Sequence, residues 1–173
     1  MTRTDGKRFL AGMLAILCCL ACLLASCKDK DGREGTTCAF YDIPVIPEVW
    51  KMAMPPMINN ENGRSLANYY NNEENASVTI NIAASEGKTL EELAAEVVEN
   101  LTAQGGKVVD APVQDGLLMR ITGTFTGQEQ GHIWVGTTND YMALTVATGN
   151  LDACRVFFAS LRNADPTLLP VEN

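Results

Sequence analysis

Ser77-Val78-Thr79-Ile80-Asn81-Ile82-Ala83 and, after a short polar connection, Thr89-Leu90-Glu91-Glu92-Leu93-Ala94-Ala95-Glu96-Val97-Val98-Glu99-Asn100-Leu101 decide the fold class of this 173-residue chain. In the first stretch Val78, Ile80 and Ile82 alternate with Thr79 and Asn81, the period-two pattern of a half-buried strand. In the second, Leu90, Leu93, Ala94, Val97 and Leu101 recur at helical spacing. Thr89 and Glu92 ahead of them spell a capping box, and Gln104-Gly105-Gly106 closes the helix. The segments downstream of this helix fix the topology. Lys107 to Val113, Leu117 to Thr126, His132 to Thr138 and Tyr141 to Ala147 read as strands separated only by turn signals, Asp115-Gly116 and Asn139-Asp140 among them. A parallel sheet needs a helix between successive strands, so short turns predict antiparallel pairing. A second helix over Asn150 to Arg162, with Leu151, Cys154, Phe158 and Leu161 on one side, ends at Asp165-Pro166. The expected class is α+β: an antiparallel sheet flanked by two helices.

Upstream of the deciding stretch, Arg64 to Tyr70 reads as the returning strand of a hairpin through Asn62-Gly63, and Asn71 to Asn75 as a turn. Cys38 to Ile43 reads as a strand cut off by Pro44 and Pro47. Met52 to Met57 is broken by Pro55-Pro56. Residues 28–37 are polar, charged and glycine-containing, the composition of a tether.

At the amino terminus Arg3, Lys7 and Arg8 precede an apolar run from Phe9 to Ala25, and Lys28 to Glu34 is a charged strip. A run of this length is near the lower limit for crossing a bilayer, so an uncleaved anchor is one alternative. The basic start, the apolar run and the small residues Ala25 and Ser26 form the pattern of an export signal. Leu24-Ala25-Ser26-Cys27 resembles the bacterial lipobox. That resemblance implies removal of residues 1–26 and lipidation of Cys27. It further implies attachment to the membrane through that lipid, a place in the cell envelope facing the periplasm, and, because Lys28 rather than aspartate comes next, the outer membrane over the inner. The expected organisation is residues 1–26 as signal peptide, 27–37 as lipidated cysteine and tether, and 38–173 as one α+β domain.

Charge narrows the partners. The full chain carries 13 basic and 21 acidic residues, a net of −8. Without Arg3, Lys7, Arg8 and Asp5 the counts become 10 and 20, a net of −10. Such a balance repels phosphate backbones, and nucleic acid is not an expected partner.

Cysteine use depends on the leader. With Cys27 assigned to lipid, Cys38 and Cys154 remain as one pair in an oxidising compartment, and a bridge between them would stabilise the domain by up to about 4.7 kcal/mol through loop-closure entropy. The alternative is that Cys154 is a small core residue on the apolar stripe of its helix.

From Ile43-Pro44 to Leu161 the order of elements resembles the Mog1/PsbP-like fold, including bacterial DcrB-like lipoproteins. Ile46-Pro47-Glu48-Val49-Trp50, Ser77-Val78-Thr79-Ile80, the Thr89 helix, Tyr141-Met142-Ala143-Leu144-Thr145 and the Phe157-Phe158 helix carry the likeness. The resemblance implies a binding or assembly factor and supplies no catalytic residues.

The chemistry-bearing residues agree with that expectation. His132 is the single histidine, and it shares a strand face with Trp134 as a packed or surface pair. No G-x-S-x-G, Walker, H-E-x-x-H or G-x-G-x-x-G motif occurs. Gly123-Thr124-Phe125-Thr126-Gly127 lacks the Lys-Ser/Thr of a phosphate loop and suits a bend. Glu73-Glu74 and Glu91-Glu92 are adjacent carboxylates that do not converge on one point. Met52, Met54 and Met57 form the sharpest alternative, because thioethers are soft ligands suited to Cu(I); the competing role is adaptable packing at a sheet edge. The sequence therefore predicts a non-enzymatic envelope lipoprotein without a cofactor that binds another envelope component, with Cu(I) handling through Met52-Met54-Met57 as the alternative.

Overall fold

The computed structural model describes residues 34–53, 57–59, 63–125 and 130–171. Its centre is a nine-stranded sheet in which every pairing among the described residues is antiparallel. The strands are β3 (Lys51–Met52), β4 (Met57–Asn59), β5 (Arg64–Asn71), β6 (Ala76–Ala84), β7 (Lys107–Val108), β8 (Val113–Asp115), β9 (Leu118–Thr124), β10 (Gln130–Thr137) and β11 (Tyr141–Gly149). Along the sheet the order is β3-β5-β6-β11-β10-β9-β7, with β4 also on β5 and β8 also on β9. One helix packs on each face, α1 (Leu90–Ala103) and α2 (Leu151–Ala159). The α+β class and the antiparallel sheet agree with the period-two runs and short turns.

The helix α1 forms where its capping box and apolar stripe place it. Thr89 Oγ1 accepts from the Glu92 N–H at 3.2 Å, and Glu92 Oε2 accepts from the Thr89 N–H at 3.0 Å. Leu93, Ala94, Val97 and Leu101 are buried against Ile121, Ile133, Val135 and Leu144 of the sheet. Each large side chain removed from water in this way contributes about 1.5–3 kcal/mol. Gly123 lies directly beneath: a Cβ there would meet Leu101 Cδ2 at 2.8 Å, so the glycine permits the helix to approach the sheet.

The opposite face carries α2. Asn150 is its N-cap and not its first helical residue, accepting from the Asp152 and Ala153 N–H groups, and the helix ends at Ala159, short of the expected Arg162. Phe157, unassigned in the sequence pattern, is fully buried and packs with Trp50 and Tyr69 at ring-centroid distances of 4.8 Å.

Several expectations change in detail. β6 is buried on both faces, Thr79 and Asn81 included, because Val78, Ile80 and Ile82 belong to the core under α2 while Ala83 belongs to the core under α1. The expected strand Lys107 to Val113 divides into β7 and β8, with Pro112 between them unable to donate to a ladder. Pairing begins within the segment read as a tether: β1 (Glu34–Cys38) and β2 (Tyr41–Val45) form a separate hairpin. Pro44 lies within β2, whose outer edge is bridged by Arg162 at Asp42.

The hairpin is tied to the carboxyl-terminal segment. Asp42 and Arg162 exchange backbone hydrogen bonds at 2.7 and 2.8 Å, and the Asp165 N–H donates to the Phe40 carbonyl at 3.1 Å. Beyond it, the turn containing Thr167 and Leu168 lies directly on Gly136 of β10. A Cβ at Gly136 would meet the Thr167 carbonyl oxygen at 2.5 Å, which requires glycine there. This contact holds the terminal segment against the α2 face.

The expected signal peptide, residues 1–26, together with Cys27 and residues 28–33, lies outside the described residues. Among the described residues no helix is long and apolar enough to cross a membrane. For the expected Cys38–Cys154 bridge, no disulfide is found among the described residues; Cys154 is buried, and the side chain of Cys38 lies outside what is described. Cys154 Sγ donates toward the Ser77 and Thr148 carbonyls at 3.6 and 3.7 Å. The apolar stripe of α2 directs it into the core, which is the alternative that the helix pattern left open.

Candidate functional site

A cleft of about 520 Å³ opens on the α2 face, between the β8–β9 hairpin, β10, α2 and the terminal segment. Strand alternation supplies its wall. Trp134 is the direct partner of Arg120 across β10 and β9, and His132 stands two residues away on the same face. The turn at Gly116, with φ +64, reverses β8 onto β9 and brings Asp115 over that wall.

Two polar contacts and two ring contacts organise the wall. Trp134 Nε1 donates to Asp115 Oδ2 at 2.9 Å. Arg120 Nη1 lies 3.8 Å from the same oxygen, an ion pair too long for a hydrogen bond. His132 and Trp134 meet edge to face at 5.4 Å, and Trp134 meets Phe158 of α2 in the same manner at 5.4 Å. The indole is thereby fixed by a hydrogen bond at its nitrogen and by rings at two edges.

Arg155 enters from α2. Its guanidinium pairs with Asp152 at 2.8 Å, but the two side chains are 60% and 86% exposed, so the pair contributes little to stability and leaves the arginine facing water and the cleft. Arg120 carries a different signature, a buried Nε with no hydrogen-bond partner. Buried donors are ordinarily satisfied, and this one lies in the wall of an open cleft.

The imidazole of His132 registers this environment. Burial is the first cause that holds its pKa below the ordinary 6.5; the positive charges of Arg120 and then Arg155 act in the same direction, and Asp115 opposes them. Leu118, Leu151, Phe158 and Leu169 give the cleft an apolar floor. Its size falls in the range of small-molecule sites, about 300–1,000 Å³. Among the described residues no hydroxyl or thiol side chain lines it. The arrangement suits recognition of a ligand with one apolar and one charged end.

The sequence-derived candidates fall in separate places. His132 and Trp134 do share a face, but as part of this cleft. Met52 packs against the core on β3, while Met57 on β4 is 59% exposed. Met52 pairs with Tyr69 and Met57 with Leu66, positions of opposite parity on β5, so the two thioethers lie on opposite faces of the sheet. Met54 lies outside the described residues. Among the described residues no group of three or more His, Cys, Asp or Glu side chains could hold a metal ion. Glu92 is used in its helix cap, and Glu74 Oε2 accepts from Asn150 Nδ2 at 2.9 Å. Gly123 is a packing position under α1, and residues 126–129 lie outside the described residues.

Sequence reasoning missed Asp115, Arg120 and Arg155. The usable signal was the Asp115-Gly116 turn, which folds an acid back beside the arginine five residues later. The chain matches no protein family model, no curated protein and no solved structure.

Proposed function

We propose that this chain is a lipid-anchored, non-enzymatic binding module of the bacterial cell envelope, and that it presents the α2-face cleft to another envelope component. The cleft carries this reading: an apolar floor, two guanidiniums and a fixed indole converge on one open volume. Among the described lining residues the carboxylate is Asp115, engaged by Trp134 and Arg120.

Leu24-Ala25-Ser26-Cys27 supports the anchor, and two or three acyl chains on Cys27 would hold stably where one would not. Seven residue steps separate Cys27 from Glu34, so β1 would start within about 25 Å of the bilayer. Lys28 after the lipidated cysteine favours the outer membrane in this reading. A Mog1/PsbP-like identity for the domain is part of the same proposal, supported by the order of strands and helices.

Site-specific photo-crosslinking in intact bacteria tests the function. A photoreactive residue at Leu117, exposed at the cleft mouth, is expected to give discrete adducts with an envelope component. The same residue placed at exposed Glu99 of α1 is the control. Identical patterns from both positions would refute a role for the cleft.

A further inference from the structure

We propose that the cleft binds a small amphipathic organic carboxylate, its charged end held by Arg120 and Arg155 and its apolar body lying on Leu118, Trp134 and Phe158. This deepens the binding-module reading and rests on it. Three observations carry it.

The first is the concentration of positive charge. The described arginines are Arg64, Arg120, Arg155 and Arg162, and two of the four line one cleft in a chain whose net charge is −8. The second is Arg120 Nε. It is a donor withdrawn from water with no acceptor, in a side chain whose other end sits 3.8 Å from Asp115. The Arg120 side chain is 33% exposed, so a carboxylate entering the cleft meets the outer edge of that guanidinium in the planar geometry that arginine recognises, while the buried Nε stays behind it. The third is the division of the lining. Leu118, Phe158, Leu169 and Pro170 are apolar, so a bare inorganic anion would leave most of the volume unused. Among the described residues the acids at the site are Asp115, hydrogen-bonded to Trp134 Nε1, and Asp152, paired with Arg155 at its exposed side; the charge of Asp115 sets the orientation by repelling a carboxylate toward Arg155.

Burial is the first cause that disfavours a protonated His132 and the charges of Arg120 and Arg155 add to it; a bound anion would offset the part due to the arginines. By linkage, occupancy and protonation of His132 should each favour the other.

The test uses untagged full-length chain, with three probes: 3-phenylpropanoate, its neutral amide 3-phenylpropanamide, and inorganic phosphate. Affinity is read by calorimetry, and the single histidine resonance by NMR over pH. The acid is expected to bind at least tenfold more tightly than the amide and than phosphate, and to raise the His132 midpoint. Arg155→Gln and Arg120→Gln are each expected to weaken the acid at least fivefold and leave the amide unchanged. Arg155→Gln alters an exposed side chain and so serves if Arg120→Gln does not fold. Equal binding of acid and amide, no saturable His132 response to the acid, or acid affinity indifferent to Arg155→Gln would each overturn the proposal. If phosphate binds as tightly as the acid, the apolar floor has no role and the proposal also fails. Crosslinking at Leu117 separates the two readings: adducts without carboxylate binding would refute this inference alone.

Discussion

Trp134 Nε1 donates a 2.9 Å hydrogen bond to Asp115 Oδ2, joining β10 to the β8–β9 turn across an intervening strand. Arg120, on that intervening strand, is the cross-strand partner of Trp134 and the ion-pair partner of Asp115. One carboxylate thus fixes an indole and restrains a guanidinium.

Asp115→Ala removes that acceptor and leaves the indole N–H without its partner. The carboxylate side chain is 45% exposed, so the expected loss is about 1 kcal/mol of unfolding free energy by urea titration. The His132 pKa should fall further, because Asp115 is the one charge that raises it. An unchanged midpoint of unfolding would show that the contact is dispensable.

Thr89→Ala breaks the capping box of α1. The expected destabilisation is about 1 kcal/mol. The amides of Glu91 and Glu92 should then exchange faster by hydrogen–deuterium measurement than those of Val97 and Leu101, which lie in the buried turns.

Gly136→Ala places a Cβ against the backbone of Thr167 and Leu168. Either the terminal segment moves away or β10 shifts, and overpacking of this kind costs about 1–3 kcal/mol. Because Leu169 and Pro170 line the cleft, exchange should accelerate at residues 167–171 before the sheet itself opens.

The pH dependence of stability has a definite sign at His132. Its folded pKa lies below the unfolded 6.5, so the unfolded chain takes up a proton first as pH falls. Stability contributed by the neutral imidazole is complete above 6.5 and is lost progressively from there down to the folded pKa, with no further loss below it. Wild type compared with His132→Gln by urea unfolding at pH 7.5 and 5.5 isolates this contribution: the wild type should lose more over the interval.

Cys154 should behave as a buried thiol. Without reductant it is expected to resist alkylation in the native protein and to react fully once the chain is unfolded. Resistance that persists after unfolding and yields only to reductant would restore the bridge to Cys38.

The fold was legible wherever one segment carries its own period. The alternation of Val78, Ile80 and Ile82 placed β6, and the Thr89 capping box placed α1 to within a residue. The cleft was not legible, because it depends on register between segments: Asp115 and Trp134 are nineteen residues apart and meet only through the pairing of β8, β9 and β10. Residue counts carry no geometry. Two cysteines left over after lipidation suggested a bridge, and the stripe of α2 turns one of them, Cys154, into the core. Met52 and Met57 are close in sequence, yet pairing with Tyr69 and Leu66 puts them on opposite faces.

Arg120 and Arg155 give this cleft a positive field in an acidic protein, and recognition of an anionic ligand depends on that field. His132 is the only histidine in the chain, so one NMR titration of the ligand-free protein reads the field at the site. The predicted result is a midpoint below 6.5 that rises in Arg155→Gln and in Arg120→Gln. A midpoint at or above 6.5 that neither substitution moves would contradict it.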